Sequence, residues 1–95
     1  MIHLHKYIGE LIRLIGDRKG IGPINYKCIQ IQDSIQGLLE QYNEDSDVGQ
    51  QLIFIRGSVG RLRNFISGGS ANFSYEQSEG LLNNGIPPIF NWWNE

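Results

Sequence analysis

Ninety-five residues, 40% of them apolar and 19% charged, suffice for one hydrophobic core but not for a core and a deep substrate cleft as well. The composition excludes a disordered chain, and the longest unbroken apolar run, Leu52 to Ile55, is far too short to span a bilayer. A formal net charge of -2 excludes the strongly basic balance typical of a nucleic-acid-binding domain.

Residues 2–16 carry Leu4, Ile8, Leu11, Ile12 and Ile15 at helical spacing, which predicts an amphipathic first helix. Lys6 and Glu10, then Glu10 and Arg13, lie one turn apart and are expected to pair on its polar side. Charges interrupt the apolar residues throughout this stretch. It therefore does not read as a secretory h-region, and the cytoplasm is the expected compartment. Residues 16–23, GDRKGIGP, hold three glycines and a proline and predict a loop, with Arg18 and Lys19 complementing the negative end of the preceding helix. Their order is not that of a phosphate-binding loop, since Lys19 precedes the last two glycines.

A second helix, residues 24–43, is predicted to begin near Pro23 or Asn25, because proline suits a first turn and asparagine a cap. Its stripe is Cys28, Ile31, Ile35, Leu38 and Tyr42, spaced three, four, three and four apart. A third helix, residues 47–67, repeats that spacing in Leu52, Ile55, Val59, Leu62 and Ile66. Asp47 and Gln50 read as a capping box at its start, and Gly68 and Gly69 as its stop. Two matched seams joined through residues 43–46 predict an antiparallel helical hairpin with coiled-coil-like packing. Gly37, Gly57 and Gly60 each cost up to about 1 kcal/mol of helix propensity, so a neighbouring backbone is expected close to them.

After Gly69 the chain turns acidic, aromatic and rich in turn residues. Ser74 with Gln77 offers another capping box, which predicts a short helix over residues 75–82 ended by Asn83, Asn84 and Gly85. Pro87 and Pro88 predict an extended continuation, so residues 83–95 read as a tail ending in Phe90, Trp92 and Trp93. The fold class is all-α: a single domain over residues 1–95, a small antiparallel three-helix bundle with a short fourth helix or an extended aromatic C-terminal tail.

No constellation for chemistry stands out. Cys28 is the only cysteine and lies on an apolar stripe, which predicts a buried, reduced thiol. His3 permits an N-terminal copper or nickel chelate, as any chain with histidine in third place does, while His3 and His5 point about 200° apart on a helix and make poor joint ligands. Glu40 with Glu44 and Glu76 with Glu79 share helix faces, but nothing predicts that one member of either pair is buried and shifted for acid–base work. The expectation is a non-enzymatic protein without metal or cofactor.

Charge is distributed in blocks. Residues 1–27 hold five basic and two acidic side chains, residues 28–55 five acidic and no basic ones, residues 56–63 three arginines, and residues 64–95 three acids. If the two basic blocks meet in the fold, one side is basic and the other acidic, which favours a charged partner. Glu40, Glu44, Asp45 and Asp47 fall at the tip of the expected hairpin, where rigidly held carboxylates can occupy a basic groove in place of nucleic-acid phosphates. Trp92 and Trp93 are neighbours in an extended tail and cannot both face inward, so one is a candidate interface anchor. These features point to a protein-binding module of immunity or antitoxin type that neutralises a basic toxin domain, such as a nuclease, by stoichiometric binding. Two alternatives stand beside it. One is a nucleic-acid-binding regulator that uses Arg56, Arg61 and Arg63, and the other is a helical subunit of a larger assembly.

Overall fold

The apolar spacing of three and four becomes the seam of four α-helices in the computed structural model, which describes residues 2–69 and 71–85. In chain order these are α1 (Ile2–Gly16), α2 (Ile21–Gln41), α3 (Asp47–Ser67) and α4 (Tyr75–Gly85), with no strand among the described residues. The connections are short, so consecutive helices run antiparallel. Helix α1 packs on α2 and α4, and α3 packs on the same two, which closes the bundle into a ring. Helices α2 and α3, of 21 residues each, run about 30 Å and set the long dimension of a 39 × 22 × 19 Å body.

Each long helix contributes four fully buried apolar side chains. They are Leu4, Ile8, Leu11 and Ile15 from α1, Ile24, Cys28, Ile31 and Ile35 from α2, and Leu52, Ile55, Val59 and Leu62 from α3. Helix α4 adds Leu82, and Phe73 enters just ahead of it. Ile12, counted on the α1 stripe from its spacing, is instead 40% exposed at the stripe's edge.

Several local expectations are corrected. Helix α2 starts at Ile21, not near residue 24, because Ile21 packs half-buried against the core and draws the first turn forward. Pro23 then sits inside that turn, where its missing N–H costs nothing. Asn25 is not a cap, since Gly20 holds that position, and α2 ends at Gln41, with Tyr42 closing it through its N–H to the Leu38 carbonyl. Helix α4 continues through Asn83 and Asn84 to Gly85 and does not stop at 82. At its start the expected Ser74 contact is present, with the Gln77 N–H donating to Ser74 Oγ at 3.2 Å. Glu10 does not pair along α1 but accepts from Lys27 Nζ of α2 at 3.4 Å, while the same ammonium lies 5.1 Å from the Tyr7 ring centroid. The glycine expectation is overturned as well. A Cβ at Gly37, Gly57 or Gly60 meets nothing within 4 Å, so no backbone approaches any of them.

Helix α4 is tied to the α1–α2 loop. Tyr75 donates its hydroxyl hydrogen to the Lys19 carbonyl, and Arg18 pairs with Glu79 while lying over the Tyr75 ring at 5.3 Å. Arg18 adopts a left-handed backbone, φ 56°, and its Nη1 also donates to the Ile15 carbonyl at the end of α1.

Candidate functional site

The α2–α3 turn, residues 42–46, is cross-tied by its own polar atoms. Asn43 is the hub. Its side-chain Oδ1 accepts from the Asp45 N–H at 2.9 Å, and its carbonyl accepts from the Ser46 N–H at 3.0 Å and from Ser46 Oγ at 2.6 Å. Ser46 is the N-cap of α3, its Oγ accepting from the Gly49 N–H at 3.0 Å. The capping box expected between Asp47 and Gln50 is therefore not formed. Asp47 occupies the first helical position, and Gln50 donates its side-chain amide to the Glu44 carbonyl at 2.7 Å. The chain turns tightly enough that Gly49 faces the Asn43 carbonyl directly, which accounts for a glycine in the first turn of α3.

Glu40, Glu44, Asp45 and Asp47 are all exposed on this turn and its flanks. None forms an ion pair among the described residues, where the two pairs found are Arg18–Glu79 and Lys27–Glu10. Antiparallel packing puts this turn at the bundle end opposite the α1–α2 loop, which carries Arg18 and Lys19. The C-terminal half of α3, with Arg61 and Arg63, points toward that same loop end. The acidic turn is thus separated along the bundle axis from Arg18, Lys19, Arg61 and Arg63, while Asp17, Glu76 and Glu79 share the loop end with those cations. Helices α1 and α3 sit across the ring from each other. Trp92 and Trp93 lie outside the described residues, as does Met1 of the N-terminal chelate.

The arginines do not form one surface. Arg63 turns toward α2, donating from Nε to Asn25 Oδ1 at 3.3 Å and from Nη1 to Gln32 Oε1 at 2.8 Å. Arg61, two positions earlier, projects from the other side of α3, and Arg56 is half-buried. Neither the acidic turn nor α4 supplies Arg63 with a carboxylate. Around it runs an open groove of about 500 Å³ between α2 and α3, lined by Asn25, Gln32, Gly60, Arg63, Asn64, Ile66 and Ser67. Sequence reading missed this groove, because its two walls are 31 and 38 positions apart along the chain. The available signal was Asn25 and Gln32, seven residues apart beside the α2 seam, facing an arginine beside the α3 seam.

Cys28 is fully buried beneath the same helix pair. Burial pushes its thiol from the ordinary 9.0 up to about 12, against the opposing pull of the Arg63 charge. No group of three or more His, Cys, Asp or Glu among the described residues is placed to hold a metal ion. No described helix is long and apolar enough to cross a membrane.

No protein-family model matches the chain, and no curated protein or solved structure matches it either.

Proposed function

We propose that the protein is a stoichiometric protein-binding module of immunity or antitoxin type, whose acidic turn covers the basic surface of a toxin, a nuclease in the first instance. The observation that carries this reading is the pairing of charge with rigidity at one end of the bundle. Four exposed carboxylates, none in an ion pair among the described residues, project from the turn and the helix ends that flank it, and the turn's backbone is fixed by Asn43, Ser46 and Gln50. Uncompensated charge at one end steers a basic partner and raises its association rate. A turn already ordered before contact loses little conformational entropy on binding.

The arginine reading has weaker support, because Arg63 is engaged by α2, Arg61 projects from the other side of α3, and Arg56, two turns from Arg63 on the same side, is half-buried. The two readings separate in one experiment. Tagged wild type and a Glu40→Lys, Glu44→Lys, Asp47→Lys triple variant are used to capture partners from the host lysate. Captured proteins are identified by mass spectrometry, and each is then purified and titrated. The reading expects one basic protein at fixed stoichiometry, lost in the triple variant and bound more slowly as salt rises. Recovery of nucleic acid, or of a partner indifferent to the reversal, overturns it.

A further inference from the structure

We infer that the α2–α3 groove is a binding site for a small aliphatic carboxylate of about amino-acid size, gripped by Arg63. This site is independent of the acidic turn, which lies at the other end of the same helix pair.

A guanidinium carries five N–H bonds, and the two that Arg63 commits go to amide oxygens, which are neutral. Its positive charge is therefore oriented but not neutralised, with three N–H bonds still to satisfy. The amides that hold it are oriented in turn. With Asn25 Oδ1 and Gln32 Oε1 committed to Arg63, their NH2 groups are left to face other acceptors, and both residues line the groove. The Ser67 hydroxyl is the exception, since it donates to the Asn64 carbonyl at 2.7 Å and has only lone pairs left to offer. Around Arg63 itself the guanidinium and the two amide NH2 groups present donors, which suits an oxyanion.

Charge decides which oxyanion. Arg63 is the only cation in the lining, and the groove lies between the C-terminal turns of α3 and the N-terminal turns of α2, whose opposite end charges offset each other. One positive charge in that setting matches a monoanion better than a phosphate dianion. A planar carboxylate also fits the fork of a guanidinium. Ile66 adds an apolar wall, and Gly60 leaves room above the floor of the groove, which provides for an aliphatic stem. The volume of about 500 Å³ lies within the range of small-molecule sites and leaves space beyond a single ion.

The test is an amide-resolved NMR titration of the full-length protein with isovalerate, its neutral isostere isovaleramide, and inorganic phosphate. Isovalerate is expected to shift the Gly60 and Ser67 backbone amides and the Asn25 and Gln32 side-chain amides along one saturable curve. Isovaleramide should leave them in place, and phosphate should bind at least tenfold more weakly. Arg63→Gln should weaken isovalerate at least tenfold, and Asn25→Asp, which sets a carboxylate against Arg63, should do the same. Arg61→Gln, outside the groove, should titrate like wild type. Arg63 is exposed, so its replacement should retain the helical circular dichroism spectrum, and the Asn25→Asp variant supplies a second reading. Shifts that do not saturate, an equal response to isovaleramide, phosphate that binds as tightly as isovalerate, or an Arg63→Gln variant that binds as wild type would each overturn the assignment.

Discussion

A Cβ at Gly49 would stand 2.0 Å from the carbonyl oxygen of Asn43, so the α2–α3 turn closes only because position 49 has no side chain. The obstructing atoms are backbone and cannot swing away. Gly49→Ala should therefore lower unfolding free energy by at least the ~1–3 kcal/mol typical of overpacking, read from urea denaturation. Gly57→Ala, with open space around it, should instead raise stability by about 0.5–1 kcal/mol, since alanine is the better helix former. Loss of stability in Gly57→Ala would mean that a neighbour approaches that face after all.

Ser46 and Asp47 can be told apart by substitution. Ser46→Ala removes the Oγ that accepts from Gly49 N–H and should cost about 1 kcal/mol. Asp47→Ala removes only a favourable charge in the first turn of α3 and should cost about 0.3–1 kcal/mol, shrinking further in high salt. Equal losses with equal salt dependence would argue against Ser46 as the cap.

The pattern of what the sequence disclosed follows from the range of the forces involved. The seam residues of α1, α2 and α3 were legible because a helix core writes its period directly into the chain. Ile8, Ile31 and Val59 needed no partner information to be assigned to it. The cap was not legible, because Ser46 and Asp47 are adjacent and both are good caps. What decides is the path of the Asn43 carbonyl, a matter of three-dimensional closure. Glycine is ambiguous for a related reason. Gly49 sits under a backbone carbonyl and Gly57 faces open space, yet both read simply as glycine within a helix. The acidic turn was foreseeable from a local run of carboxylates. The Arg63 groove was not, since it needs α2 and α3 set side by side.

Arg18 makes two opposing contributions. Its left-handed backbone costs about 1–2 kcal/mol for a residue with a Cβ, while its half-exposed ion pair with Glu79 contributes no more than about 1 kcal/mol. Arg18→Gly should therefore change stability little, and Arg18→Ala, which keeps the backbone cost and loses the pair, should be the less stable of the two. Thermal melts of both variants decide it, and an Arg18→Gly variant less stable than Arg18→Ala would show that the left-handed backbone at position 18 carries no cost that glycine relieves.

The buried thiol makes stability depend on alkaline pH. Below about pH 9 Cys28 holds its proton in both folded and unfolded chains and contributes no pH dependence. Between about 9 and 12 the unfolded chain releases that proton while the folded one keeps it. Stability should then fall as pH rises, with a slope approaching about 1.4 kcal/mol per pH unit from this group. Cys28→Ala, less stable throughout because of the cavity it leaves, should lack this component. The difference between the two proteins should therefore narrow above pH 9. A gap that stays constant would mean the thiolate forms in place.

The tie between Arg18 and Glu79 joins residues 61 positions apart, whereas α1–α2 and α2–α3 are hairpins between consecutive elements. Closing the α1–α4 seam is thus the step with the longest loop and the greatest chain entropy to overcome. With one fully buried apolar side chain of its own, Leu82, α4 has little to hold it once that seam opens. Its amides should exchange with solvent by a partial opening well below the free energy of global unfolding, while those of α2 and α3 wait for the whole fold to come apart. The molecule has an order of disassembly, and the turn bearing Glu40 to Asp47 belongs to the part that lets go last.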